Sequence, residues 1–146
     1  MESDDQTLGG LSPAVDKALR IAIVGLILVA VVGAVRWRML ASSLRRAERL
    51  YRSYQYEDAV ALLEPVVRSP LGRIRLRRRA RRTLLLCQAH LAAEEQTIAG
   101  YETALRYLAE AREAGAPPED VNEYVELYAA EREKLQAGRN VGRSNE

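Results

Sequence analysis

The sequence predicts an all-α protein: one N-terminal transmembrane helix followed by an array of helical hairpins. Three observations carry this. Ile21 to Val35 are fifteen consecutive uncharged, mostly apolar positions, bracketed by Arg20 on one side and by Arg36, Trp37 and Arg38 on the other. From Leu40 to Gln136 the chain is rich in Ala, Leu, Glu and Arg, with apolar residues recurring at three and four positions, the period of a helix packed on one face. No Gly or Pro interrupts the chain between Gly33 and Pro65, so the apolar helix is expected to continue into the first helix of the array. The expected organisation is an acidic tail over residues 1–17, a span over 18–41, a helical domain over 42–136 and a disordered tail over 137–146.

The span comes first. At ~1.5 Å per residue the uncharged run covers ~22 Å of a ~30 Å hydrocarbon core, so Ala18, Leu19 and Met39 to Ala41 must extend it. Arg20, Arg36 and Arg38 then fall at the membrane interface, stems in the apolar layer and guanidinium groups toward phosphates, with Trp37 at headgroup depth. A buried helix of a soluble protein is the competing reading, but a helix apolar on every face needs a larger core than this chain can build. A cleavable signal peptide fits poorly with an acidic leading segment and arginines directly after the apolar run. Glu2, Asp4, Asp5 and Asp16 precede the span, whereas Arg36, Arg38, Arg45, Arg46, Arg49 and Arg52 follow it. The arginine-rich flank is the cytoplasmic one, which directs the N-terminus outward and the C-terminal domain into the cytoplasm. A single cysteine, Cys87, permits no internal disulfide and agrees with that placement.

The soluble helices follow in order. Leu40, Leu44, Ala47, Leu50, Tyr51 and Tyr54 share one face of the first. The second is expected over Tyr56 to Val67, with Ala59, Leu62, Leu63 and Val66 inward and Pro65 kinking it or ending its regular part. Ser69, Pro70 and Gly72 mark a turn. A third helix is expected over Arg79 to Ala93, a fourth over Tyr101 to Glu113 and a fifth over Pro118 to Leu135. The fifth carries proline at its start, Glu119 and Asp120 in its first turn, and a Val121, Tyr124, Val125, Tyr128 stripe.

An internal repeat organises these helices: Tyr56-Glu57-Asp58-Ala59 recurs as Tyr101-Glu102-Thr103-Ala104. Here the chain resembles the tetratricopeptide repeat family, in which a small residue of helix A meets an early alanine of helix B. Ala47, Ala59 and Pro70 match in the first unit, with Tyr56, Leu63 and Val66 as the helix B pattern; the usual glycine before the turn is Tyr54. In the second unit Cys87 takes the small position and His90 the aromatic one, with Ala104, Leu108 and Ala111 in helix B. The copies lie 45 residues apart against the family's about 34. The added length is assigned to a connection around Arg73 to Arg79 and a turn spanning Glu94 to Gly100. The family tryptophan is missing, and the fifth helix stands as the cap. The resemblance implies two stretched repeats and a partner-binding groove along helix A: Leu44, Glu48, Tyr51 and Arg52, then Leu84, Gln88, Leu91 and Ala92. An ordinary helical bundle with a chance tetrapeptide repeat is the plainer alternative.

Charge is segregated along the chain. Arg36 to Arg82 carries fourteen arginines and four acids, a net +10, whereas Glu94 to Glu133 carries eleven acids and three arginines, a net −8. The basic part peaks at Arg73, Arg75, Arg77, Arg78, Arg79, Arg81 and Arg82. Arginine forks suit phosphate, so this cluster has three readings: anionic lipid headgroups, RNA or a ribosome, or a solvated face paired with the chain's own acidic helices. No aromatic residues interleave the arginines for base stacking, which favours lipid over nucleic acid.

Catalysis has little support. Cys87 and His90 are the lone members of their kinds, three apart on one helix, and nothing beside them completes a nucleophile, base and orienting group or a four-ligand zinc site. No glycine-rich phosphate loop is present, and no metal or cofactor is implied. The expected activity is that of a membrane-anchored protein-protein interaction scaffold, an assembly factor or accessory subunit of a membrane complex. The alternative is a tether working through the arginine cluster. Heavy use of arginine over lysine points to a bacterial inner membrane, although an organelle receptor shares the outline.

Overall fold

The computed structural model describes residues 13–70 and 73–143. The expected acidic tail before Pro13, and Gly72 of the expected turn, lie outside the described residues. Those residues form five helices and no strand: α1 (Pro13–Arg52), α2 (Tyr56–Arg68), α3 (Ile74–Glu94), α4 (Ile98–Glu113) and α5 (Pro118–Arg143).

The chain divides into two compact units, Met1–Arg36 and Trp37–Glu146. In the first, every side chain from Lys17 to Arg36 is exposed, and none of the apolar run is buried among the described residues. Ile21, Val24, Leu26 and Val29, which point around all sides of the helix, are each at least 66% exposed. This is the one helix among the described residues long and apolar enough to cross a membrane. No glycine or proline stops it before Arg52, and α1 is continuous for 40 residues.

The second unit contains two apolar clusters. Leu44 and Ala47 of α1 pack with Ala59, Leu63 and Val66 of α2 and with Ala80 and Cys87 of α3. Leu85, Leu86, Ala89 and Ala93 of α3 pack with Tyr101, Ala104, Leu108 and Ala111 of α4 and with Val121 and Tyr128 of α5. Thus α3 is shared, one face in each cluster. The 45-residue repeat is expressed in burial: Tyr56 and Tyr101 are both 9% exposed, and the pairs Ala59 and Ala104, Leu63 and Leu108, Val66 and Ala111 are fully buried.

Four boundaries differ from expectation. The helix α3 starts at Ile74, not Arg79, so the arginine cluster is helical rather than a connection. Arginine is a good helix former, and nothing between Arg73 and Glu94 breaks a helix. The helix α4 starts at Ile98, not Tyr101, because Thr97 caps it, its hydroxyl accepting from the Gly100 amide at 2.9 Å. Most of the expected connection around Arg73 to Arg79 is therefore helix, and the turn before α4 is shorter than expected. Pro65 neither ends nor divides α2, which runs to Arg68; Ala61, whose carbonyl would have bonded the missing amide, is exposed to water. Finally, α5 continues to Arg143 instead of stopping at Leu135.

Tight turns hold the hairpins together. After α1, Tyr54 adopts φ 59°, with its amide bonded to Tyr51 O and that of Gln55 to Leu50 O. This is a Schellman cap with tyrosine at the position that favours glycine. Gly115 (φ 84°) plays the same part after α4.

Candidate functional site

The helices α1, α3 and α5 line one side of the second unit, with α3 as floor. Near the start of α3 a cavity of about 380 Å³ is bounded by Glu48, Tyr51 and Arg52 of α1, Arg79, Arg82, Thr83 and Leu86 of α3, and Asp120 of α5. Further along α3 a second cavity, about 450 Å³, lies among Tyr56, Tyr101, Tyr128, Glu94 and Glu131. His90, 5% exposed, is part of the wall of this second cavity. Tyr56 stacks on its ring at 4.5 Å, and Tyr124 meets it edge-on at 4.5 Å. Its Nδ1 lies 2.6 Å from the Tyr128 hydroxyl and its Nε2 3.4 Å from that of Tyr51. Six of the chain's seven tyrosines join this network, Tyr101 through Tyr128 and Tyr54 through Tyr56.

Burial governs the chemistry of these groups. It holds His90 down, to about 4, so the imidazole is neutral, one nitrogen donating and the other accepting. It pushes Tyr56 up to about 12, and Tyr51, Tyr124 and Tyr128 also upward, with neighbouring tyrosines adding to the effect. Burial likewise pushes the Cys87 thiol up to about 12, so it stays protonated and packs as a small apolar residue. Cys87 belongs to the first cluster and His90 to the tyrosine network; the two do not form a nucleophile and base.

The expected groove residues are only partly brought together. Glu48, Tyr51 and Arg52 border the first cavity. Leu44 does not, being 3% exposed within the core. On α3, Leu84 and Leu91 pack against the first cluster, Ala92 packs against the second, and Gln88 is half-buried, so the groove presents Arg79, Arg82, Thr83 and Leu86 instead. The reason is the alignment of the small position. Cys87 faces α1 and α2, whereas the small residues facing Ala104 are Ala89 and Ala93. A shift of two residues turns a helix by about 200° and exchanges its faces. Tyr124 and Tyr128 were legible as an i, i+4 pair on α5, but their convergence on the lone histidine of α3 was not.

The arginines divide by partner. Arg79 makes a two-pronged ion pair with Glu48, Nε to Oε1 at 2.5 Å and Nη2 to Oε2 at 2.8 Å. Arg82 donates to the Gly115 carbonyl at 2.5 Å, and Arg73 lies over the Trp37 ring at 5.4 Å. Among the described residues the cluster's one ion pair is Arg79 with Glu48 of α1, and none of its members pairs with an acid of α4 or α5. Arg75, Arg77, Arg78 and Arg81 are exposed and unpartnered. Of the expected membrane-interface residues, Arg20, Arg36 and Arg38 are exposed, and Trp37 remains 41% exposed beneath Arg73. No family model matches the chain, and neither does any curated protein or solved structure.

Proposed function

We propose that the chain is a single-pass membrane protein whose helical domain, similar to tetratricopeptide repeats, faces the cytoplasm and captures a segment of another protein. Assembly factor or accessory subunit of a membrane complex is the corresponding role. The observation that carries the reading is the groove floored by α3 between α1 and α5, which changes sign along its length. Arg52, Arg79 and Arg82 border one end, Glu94 and Glu131 the other, with the tyrosine network between. Arg79 and Arg82 are held by internal partners, leaving Arg52 as the free cation of that end among the described residues. Such a groove selects a segment with an acidic end toward Arg52, an apolar middle and a basic end toward Glu94 and Glu131. The equal burial of repeat positions 45 residues apart supports the repeat reading. The exposed apolar half of α1 supports the anchor, which raises the local concentration of membrane-bound partners.

Site-specific photocrosslinking in native membranes tests this. A crosslinker at Thr83 or Arg52 is expected to trap one discrete partner band, and a crosslinker at Glu102, exposed on α4, none. Arg52→Glu should weaken the band severalfold. Equal trapping from Thr83 and Glu102 would rule out the groove as the docking face.

A further inference from the structure

One face of α3 is not used by the groove. Ile74, Arg77, Arg78 and Arg81 fall on a single stripe of its first turns, spaced i, i+3, i+4 and i+7. The three arginines and Ile74, with Val67 of α2, enclose an open cavity of about 330 Å³. The arginines have no acidic partner, and Ile74 is 69% exposed, an isolated branched apolar residue set among guanidinium groups. Arg73, which immediately precedes α3, lies over Trp37, the residue that follows the apolar run and its closing Arg36. That contact brings the start of α3 to the point at which the chain would leave a bilayer. Unpaired forks, an exposed apolar residue between them and adjacency to the exit tryptophan are the features of a surface that seats on lipid headgroups.

We infer that the Ile74, Arg77, Arg78 and Arg81 face of α3 docks on the anionic headgroups of the membrane that holds α1, the guanidinium groups binding lipid phosphates and Ile74 entering the interfacial layer. The inference rests on the anchor reading above. It gives the arginine cluster a task separate from the groove, because Arg77, Arg78 and Arg81 line the Ile74 cavity without partners, whereas Arg79 and Arg82 border the groove and are held there by Glu48 and the Gly115 carbonyl. RNA phosphates offer the same charge, but exposed Ile74 contributes nothing to them, and no exposed aromatic residue shares the stripe for base stacking.

The test uses the full chain with Ile74→Cys carrying an environment-sensitive fluorophore; Cys87 is buried and stays unlabelled. The protein is placed in nanodiscs of phosphatidylcholine alone or of phosphatidylcholine with phosphatidylglycerol. Expected are a blue-shifted emission and a severalfold drop in acrylamide quenching only in the anionic discs, reversed by high salt. Arg77→Glu, Arg78→Glu and Arg81→Glu together should abolish both effects, whereas Lys at the same three positions should retain them. Unchanged helicity by circular dichroism would show that both triple variants stay folded. Identical emission in the two disc types overturns the inference while leaving the anchor intact. A chain that does not enter discs at all overturns the anchor and the inference with it. A shift produced by added single-stranded RNA on phosphatidylcholine discs, and not by phosphatidylglycerol, overturns it in favour of nucleic acid.

Discussion

His90 is placed where a charged imidazole would be costly: it is 5% exposed, with tyrosine rings stacked and edge-on around it. Its folded pKa is lowered to about 4 from the ordinary 6.5. Between those values the unfolded chain binds more protons than the folded one, so stability falls as pH falls. The contribution is fully present above pH 6.5 and is lost as pH drops through the window down to about 4. Denaturant unfolding of the wild type at neutral pH and at the acidic edge of that window should differ by on the order of 2 kcal/mol more than in His90→Phe, which removes the titrating group. The Phe variant should itself lose about 1–3 kcal/mol at neutral pH, since Tyr128 keeps a buried hydroxyl without its partner. Equal pH dependence in both proteins would show that His90 is not the group responsible. The histidine was visible in the sequence as a polar residue at an aromatic repeat position. Its environment was not, because the tyrosines come from four other helices, α1, α2, α4 and α5.

At the scale of elements, the crossing of α3 and α4 depends on small side chains. A Cβ on Gly100 would stand 2.5 Å from the carbonyl oxygen of Ala92 and 3.0 Å from the Thr97 hydroxyl that caps α4. The obstructing atom on α3 is backbone and cannot swing aside. Gly100→Ala, a change that favours a helix by ~1 kcal/mol in an exposed interior, is therefore expected to destabilise here by about 1–3 kcal/mol. Thermal unfolding monitored by circular dichroism checks the sign; a higher midpoint would mean that α4 moves away without penalty. The same close approach explains why a turn was expected across Gly100. Glycine reads as punctuation in a sequence, whereas here it admits a neighbouring backbone inside a helix. Arginine-rich Arg73 to Arg79 was read as a connection because the 45-residue spacing exceeded that of the resembled family, but the segment is helix, with Ala80 and Leu76 facing the core.

On the scale of the whole molecule, α3 couples the two clusters, so the second unit is expected to unfold in one transition. Leu108 is fully buried in the cluster of α3, α4 and α5. Leu108→Ala should cost about 2–5 kcal/mol. It should also lower hydrogen-exchange protection of α2 amides, which lie in the other cluster, along with that of α4. Loss of protection confined to α4 and α5 would show that the clusters open independently. The charge segregation has a counterpart in three dimensions: the basic residues divide between a groove end and the Ile74 stripe, while Glu94 and Glu131 border the opposite end of the groove.

By itself the sequence determined the helical class and the long apolar helix, because period, composition and the absence of helix breakers are local properties. Tyr56, Ala59, Leu63 and Val66, and their counterparts 45 residues on, are buried as the pattern required. Which face of α3 opens to the groove was decided only by tertiary packing. Cys87, Ala89 and Ala93 are all small enough to seat a neighbouring helix, and a single chain of letters does not say which neighbour each one meets. The convergence of Tyr51, Tyr56, Tyr124 and Tyr128 on His90 likewise exists only once the five helices are packed. The same packing leaves Arg77, Arg78 and Arg81 without partners while Arg79 finds Glu48, since a salt bridge between residues 31 apart depends on where two helices cross.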